Sequence, residues 1–341
     1  MRYDNYGSAA LHGIRYGLDV NTLNLTGWGD TLGLSYSNTR GLNTLQMNYA
    51  WPLNWRNSKL LLDYVRSDAS VVEPPFSLLD IVSARRSYAI GVQHPLIHQL
   101  GRNVTVGLRL KHQSASTTLL GQPYSFTRNL SDKQTDSSVI SFTQSWIERS
   151  ADAAFALNTE LRLGTALFGA TEHAAGPDSQ FHILSAQGEW FRRLPLGNLL
   201  VRGSAQISDD ELFTEQRFSI GGVSSVRGYR EGPISADQGI QMSLEWRLRL
   251  ADMLEDLEPE SRWHAWQLAS FMDIGYVRNK SATPLSVNVL HSVGLGLRWH
   301  YQNLVHLRLD YGHALETGPE QPSQTLQDDG VHFGLNLTLA Y

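Results

Sequence analysis

Residues 238–250 read Gln-Gly-Ile-Gln-Met-Ser-Leu-Glu-Trp-Arg-Leu-Arg-Leu. Ile240, Met242, Leu244, Trp246, Leu248 and Leu250 fall at every second position; Gln241, Ser243, Glu245, Arg247 and Arg249 fill the places between. Successive side chains of a strand point to opposite faces, so this is a strand with one apolar and one charged face. The end of the chain repeats the pattern: Val331, Phe333, Leu335, Leu337, Leu339 and Tyr341 oppose His332, Gly334, Asn336, Thr338 and Ala340. Val293, Leu295, Leu297 and Trp299 oppose Ser292, Gly294, Gly296 and Arg298, and Val305, Leu307, Leu309 and Tyr311 oppose His306, Arg308 and Asp310.

About fifteen such segments, each about 9–14 residues long, can be traced from residues 9–22 to residues 330–341. Strands of soluble proteins average about 5–6 residues, whereas a tilted bilayer crossing needs about 9–11. Connections alternate in length. Residues 26–29, 53–56, 193–197 and 301–303 are tight, whereas 68–83, 115–135, 167–180, 209–236 and 314–329 are long and polar. Short turns at one end and long loops at the other are the mark of an antiparallel transmembrane β-barrel. Trp51, Trp55, Trp190, Trp299, Tyr311 and Tyr341 sit near strand ends, where interfacial aromatic girdles belong. The lipid-facing set is then predicted to include Ile240, Met242, Leu244, Leu248, Leu295, Leu297, Leu335 and Leu337. A large soluble β-sandwich or propeller, with the apolar face inside, is the competing reading; the glycines and paired charges of the polar face fit a water-filled lumen better.

Composition narrows the function. The 341 residues carry a formal net charge of −5, so no basic field points to nucleic acid. Only Lys59, Lys111, Lys133 and Lys280 are lysines among 28 basic residues, a bias towards fixed, planar ion pairs. Cysteine is absent, which excludes disulfides, thiolate metal sites and cysteine catalysis. The twelve His residues form no His-Glu-x-x-His, and there is no Gly-x-Ser-x-Gly elbow. Paired charges such as Glu245/Arg247 and Glu160/Arg162 read as lumen networks. The expectation is a non-enzyme with no cofactor and no metal.

Residues 209–236 are the longest interruption, and they are not low in complexity. They hold Phe218-Ser219-Ile220-Gly221-Gly222-Val223-Ser224-Ser225-Val226-Arg227-Gly228-Tyr229-Arg230-Glu231-Gly232. Glycines around an aromatic and arginine core suggest a specifically folded, hairpin-like element. Val226-Arg227-Gly228-Tyr229 resembles the Val-Arg-Gly-Tyr/Phe loop motif of the superfamily of outer-membrane insertases and two-partner secretion transporters. Phe271-Met272-Asp273-Ile274-Gly275 resembles its Phe-x-Asp-x-Gly partner motif. By alternation Phe271, Asp273 and Gly275 share the lumen face. Asp4-Asn5-Tyr6-Gly7, Gly29-Asp30-Thr31-Leu32, Tyr49 through Pro52 and Gln93-His94-Pro95-Leu96 resemble the haemolysin secretion/activation (TpsB) branch.

The resemblance implies a barrel of sixteen strands, about fifteen of them complete in residues 1–341. Strand one would be mostly missing, with periplasmic POTRA domains and a signal peptide expected before it in the family. It implies export of a large unfolded exoprotein, haemolysin- or haemagglutinin-like, to the surface of a Gram-negative cell. Arg227 and Asp273 would hold the loop in the pore, Gly228 would permit close backbone approach, and Tyr229 would pack the loop tip. Expected partners are the exoprotein, outer-membrane lipid and lipopolysaccharide, and the barrel assembly machinery during biogenesis. An outer-membrane insertase and a passive porin remain as alternatives.

Overall fold

The computed structural model describes residues 1–125, 134–172, 176–250, 266–280, 285–320 and 324–339. Its strands begin with β1 (Arg2–Asp4), β2 (Arg15–Leu23), β3 (Thr31–Thr39), β4 (Leu42–Pro52) and β5 (Lys59–Ser70). There follow β6 (Val82–His98), β7 (Arg102–Leu119), β8 (Gln122–Pro123), β9 (Gln134–Arg149) and β10 (Ala153–Thr165). Next come β11 (His182–Leu194), β12 (Gly197–Ser208), β13 (Phe218–Ile220), β14 (Ile234–Ala236) and β15 (Gln238–Arg249). The chain ends through β16 (Trp266–Arg278), β17 (Val289–Tyr301), β18 (Val305–Ala314) and β19 (Val331–Leu337). Among the described residues no helix is long and apolar enough to cross a membrane.

All of these strands except β8, β13 and β14 form one antiparallel wall of sixteen, each paired with its neighbours in turn. The wall closes because β1 pairs with both β19 and β2. A closed barrel satisfies every ladder group internally, which an open sheet in lipid cannot do. The seam is short. Arg2, Tyr3 and Asp4 pair with Asn336, Leu335 and Gly334 on one side and with Gly17, Tyr16 and Arg15 on the other. Below those rungs, residues 18–23 of β2 pair with β3 alone.

Alternation sets the faces. Ile240, Met242, Leu244, Met272, Ile274 and Leu295 are exposed on the outside, while Ser243, Glu245, Phe271 and Asp273 are buried within. Trp266, Trp299 and Tyr301 pack in a row at the short-turn rim. Trp146 and Phe155 meet edge to face there too, with Arg102 over the Trp146 ring. The turns at this end are pinned by side chains: the Asp30 carboxylate accepts from Thr26 N–H, Thr26 Oγ1 and Tyr49 Oη at 2.7–3.0 Å.

Two features depart from the sequence reading. First, β6, β7 and β9 are 17, 18 and 16 residues long, so the ladder continues beyond the apolar band. Their distal ends, such as Ser114, Ala115, Ser116 and Thr117, show no alternation. Outside lipid no apolar face is required, and backbone pairing alone carries the sheet onward. Second, residues 9–14 are not strand. Ala9–Leu11 form a 3-10 turn whose carbonyls are taken by neighbouring loops: Val72 N–H bonds Ala10 O, and Gly41 N–H bonds Leu11 O. The terminal strand ends at Leu337, and Tyr341, expected among the girdle aromatics, lies outside the described residues.

Candidate functional site in the barrel lumen

Between β12 and β15 the chain turns inward. Phe218–Ile220 and Ile234–Ala236 pair as a two-stranded ribbon, and the residues between them form its tip. The ribbon rests on the wall through a cluster of Ile220, Val226, Ile234, Ala236, Val277 and Leu290. Gly275 makes this fit possible: a Cβ there would meet Ile220 and Val226 methyls at 3.0 Å, tighter than ordinary van der Waals contact.

Arg227 lies at the tip and is fully buried. Its Nε and Nη2 donate to Asp273 Oδ2 and Oδ1 at 2.7 and 2.8 Å, a bidentate pair. Nη1 donates to Glu245 Oε2 at 2.5 Å, and Nη2 also reaches Ser243 Oγ at 3.0 Å. The backbone N–H of Arg227 donates to Asp273 Oδ2 at 3.1 Å. Phe271 closes the remaining face, with the guanidinium carbon 3.4 Å from its ring centroid. Asp310 stands 3.7 Å from Nη1. Burial by itself would push the Arg227 pKa down, but the carboxylates of Asp273, Glu245 and Asp310 outweigh it and hold the pKa above the ordinary arginine value. The wall supplies these partners by register: Ser243 lies opposite Asp273 and Glu245 opposite Phe271 on β15 and β16.

Gly228 follows with φ +97°, and a Cβ there would lie 3.0 Å from Gly312 O on β18. The loop backbone touches the wall backbone at this point, and Gly312 N–H bonds Gly330 O beside it. Tyr229 Oη donates between the carbonyls of His291 and Glu316, at 3.1 and 2.9 Å. Thus Val226 and Arg227 meet Gly275, Phe271 and Asp273 on β16, while Gly228 and Tyr229 dock against β17, β18 and the loop that follows.

Sequence reasoning missed several members of this site. Glu245 was read only as part of a lumen network, and Ser243 only as a polar-face position; their inward register beside Asp273 was the available signal. Arg230 forms a second clasp, with Nη1 2.7 Å from Glu73 Oε1 and Nη2 2.8 Å from Asp328 Oδ2. Burial opposes the charge on Arg230, but these two carboxylates raise its pKa regardless. Glu73 and Asp328 belong to distant loops, where no periodicity marks them. Glu231 accepts from Val223 N–H at 2.6 Å. Burial pushes its carboxyl up to about 7, against that hydrogen bond and the field of Arg15. Among the described residues no group of three His, Asp or Glu side chains gathers as a metal site requires.

Comparison with known proteins identifies the family and the fold. The model of the family described as haemolysin secretion/activation protein ShlB/FhaC/HecB matches residues 1–299. The heme/hemopexin transporter protein HuxB of Haemophilus influenzae strain 86-028NP is 24% identical over 318 residues, covering 86% of this chain and 52% of that protein. The chain therefore spans about half the length of such relatives. CdiB from Escherichia coli superposes with a TM-score of 0.80 at 18% identity, over 98% of this chain and 61% of that one. BamA from Haemophilus ducreyi lacking POTRA domains 1–3 gives 0.67 at 15% identity, over 98% and 69%. At these identities the likeness shows the fold.

Proposed function

The chain belongs to the haemolysin secretion/activation family of Gram-negative outer-membrane transporters, and from that premise we propose that its barrel is the conduit through which a partner exoprotein leaves the cell. The short-turn end would face the periplasm and the long loops the exterior. No nucleotide or covalent step is needed; folding of the substrate outside would supply the drive.

The observation that carries this reading is the enclosure of Arg227. A guanidinium donating to two carboxylates, inside a lumen otherwise lined with polar groups, fixes a loop of some thirty residues in the path that a polypeptide must take. The loop is proposed as a plug, with Arg227, Ser243, Glu245, Phe271 and Asp273 as its socket. A passive porin has no need of so costly an internal clasp. An insertase would use the three-rung seam at β1, so the two activities call on different parts of the wall.

Secretion of the cognate exoprotein by full-length Arg227→Ala, Asp273→Ala and the double variant tests the proposal. Both single variants are expected to impair secretion alike, and the double variant to add little, because each removes the same contact. Additive losses, or normal secretion by both single variants at wild-type barrel levels, would overturn the plug.

A further inference from the structure

On the short-turn side of the Arg227 socket the lumen wall opens into a cavity of about 440 Å³, lined in part by Arg247, Arg298, Arg308, His300, His306 and Asn336. The register fixes its position. Arg308 and Arg298 face one another across β18 and β17, one inward position nearer the short turns than Asp310 and Gly296. His306 and His300 follow at the next inward position. A chain entering from the periplasm would meet these side chains before it met the loop.

The charges of the socket and the cavity do not cancel. Arg202, Arg227, Arg247, Arg298 and Arg308 surround Glu245, Asp273 and Asp310, leaving an excess of two positive charges. The three carboxylates are fully buried and already engaged: Asp273 with Arg227, Glu245 with Arg227 and Arg247, Asp310 with Arg298 and Arg308. The arginines are not equally engaged. Arg308 gives Nε to Asp310 and keeps 28% of its side chain exposed. Arg247 gives Nε to Glu245 and stays partly exposed to the lumen. A guanidinium carries five N–H donors, so a partly exposed arginine held by one carboxylate keeps donors for a ligand oxygen. Guanidinium forks match carboxylates in pairs, and a volume of this size falls in the range of small binding sites, about 300–1,000 Å³.

We propose that this cavity is a receptor for the carboxylate side chains of an extended polypeptide in transit, with Arg247 and Arg308 as its binding groups; Arg298, committed to Asp310, Glu245 and two wall carbonyls, holds their frame. The identity of the ligand as a polypeptide rests on the secretion reading above; the affinity for carboxylates rests on the cavity alone. Acidic segments would pause here below the plug, while basic segments would be repelled.

The test uses full-length protein in lipid nanodiscs and fluorescein-labelled decaglutamate, with binding read by anisotropy. Wild-type protein is expected to bind decaglutamate at least about tenfold more tightly than free glutamate at equal carboxylate concentration, since the arginines act together. Decalysine should not bind. Raising salt from low to physiological strength should weaken the complex. Arg308→Gln and Arg247→Gln should each weaken binding several-fold, and Arg247→Lys should retain most of it. Retained heat-modifiable mobility on gels establishes that each variant barrel is folded, and Arg66→Gln, on a distant wall strand, serves as the control. Equal binding by wild type and the Arg247→Gln/Arg308→Gln variant, equal binding of decalysine, or full displacement by inorganic phosphate at the same charge concentration would overturn the proposal. The assay contains no transport step, so failure of the secretion reading would leave its outcome intact.

Discussion

The wall between β15 and β19 and the wall between β3 and β7 are built from the same alternating pattern, yet their lumen faces are different materials. On the first, Glu245, Asp273 and Asp310 have essentially no exposure, nor has Arg227 of the loop docked against them. On the second, the lumen pair Arg109 and Asp63 approaches only to 3.5 Å, with side-chain exposures of 41% and 19%. The residue types match; the inward loop makes the difference. Alternation decides which way a side chain points, and what lies opposite decides what its charge is worth. An exposed ion pair contributes about 0–1 kcal/mol, whereas breaking a buried one costs about 3–5 kcal/mol because its partner is left charged and dry.

The largest effect should therefore come from Arg227→Ala. It strands Asp273 and Glu245 without their shared cation. A loss of about 3–5 kcal/mol in loop docking is expected. Limited proteolysis of the purified barrel should show new cleavage within residues 209–236, with the wall strands still protected. Protection equal to wild type would mean that the apolar contacts of Ile220, Val226 and Ile234 hold the loop by themselves.

This contrast also shows how much could be read from the chain. The barrel was legible because lipid enforces a strict period of two, and Ile240, Met242, Leu244 and Leu295 keep it. Where lipid ends, the period ends. The outer reaches of β7 therefore read as loop although they pair, and residues 9–14 read as strand although they bend. In the site, Asp273 was placed on the lumen face by its position between Met272 and Ile274. Glu245, Ser243 and Asp310 were legible only as inward-facing polar residues, because their part in the socket depends on strand register. Gly312 and Gly330 gave no signal at all. Their importance lies in a backbone approach from Gly228, which neither composition nor period encodes.

The outer surface provides the counter-comparison, since both sectors meet the same lipid there. Leu295→Arg on β17 and Leu45→Arg on β4 should each cost about 2–4 kcal/mol near the midplane, with no difference between sectors. Folding into bilayers during denaturant titration reads this directly. A marked excess at Leu295 would show that the loop stiffens the wall through to its lipid face.

Glu231 should give the loop sector a dependence on pH that the opposite sector lacks. Its carboxyl is pushed up to about 7 in the folded protein, from an ordinary value of 4.5. The packed loop thus favours the neutral acid. That contribution is fully present below pH 4.5 and is lost as pH rises through 7. The shift corresponds to about 3 kcal/mol at most, and less because the side chain is only partly buried. Asp4, Arg15 and Arg308 supply the field around it. Hydrogen exchange at Val223 should quicken between pH 5 and pH 8 beyond the intrinsic base catalysis, and Glu231→Gln should remove the excess. An unchanged profile in the variant would assign the dependence elsewhere.

The smallest effect is expected at Arg66. Its Nε donates to Asp68 Oδ2 at 2.9 Å, a distance as good as many in the Arg227 socket. Both groups, however, lie two residues apart on the outer face of β5, towards its long-loop end, and are open to water, with side-chain exposures of 50% and 43%. Water solvates each ion when the other is removed, so no stranded charge results, and salt screens what attraction remains. Arg66→Gln should change barrel stability by less than about 1 kcal/mol, and by less still at physiological ionic strength. Measuring Arg66→Gln and Arg227→Ala in the same denaturant titration isolates the role of burial, since bond length is nearly constant between the two sites. If the Arg66 variant lost as much as the Arg227 variant, burial would not be what sets the strength of the socket, and hydrogen-bond geometry alone would have to account for it.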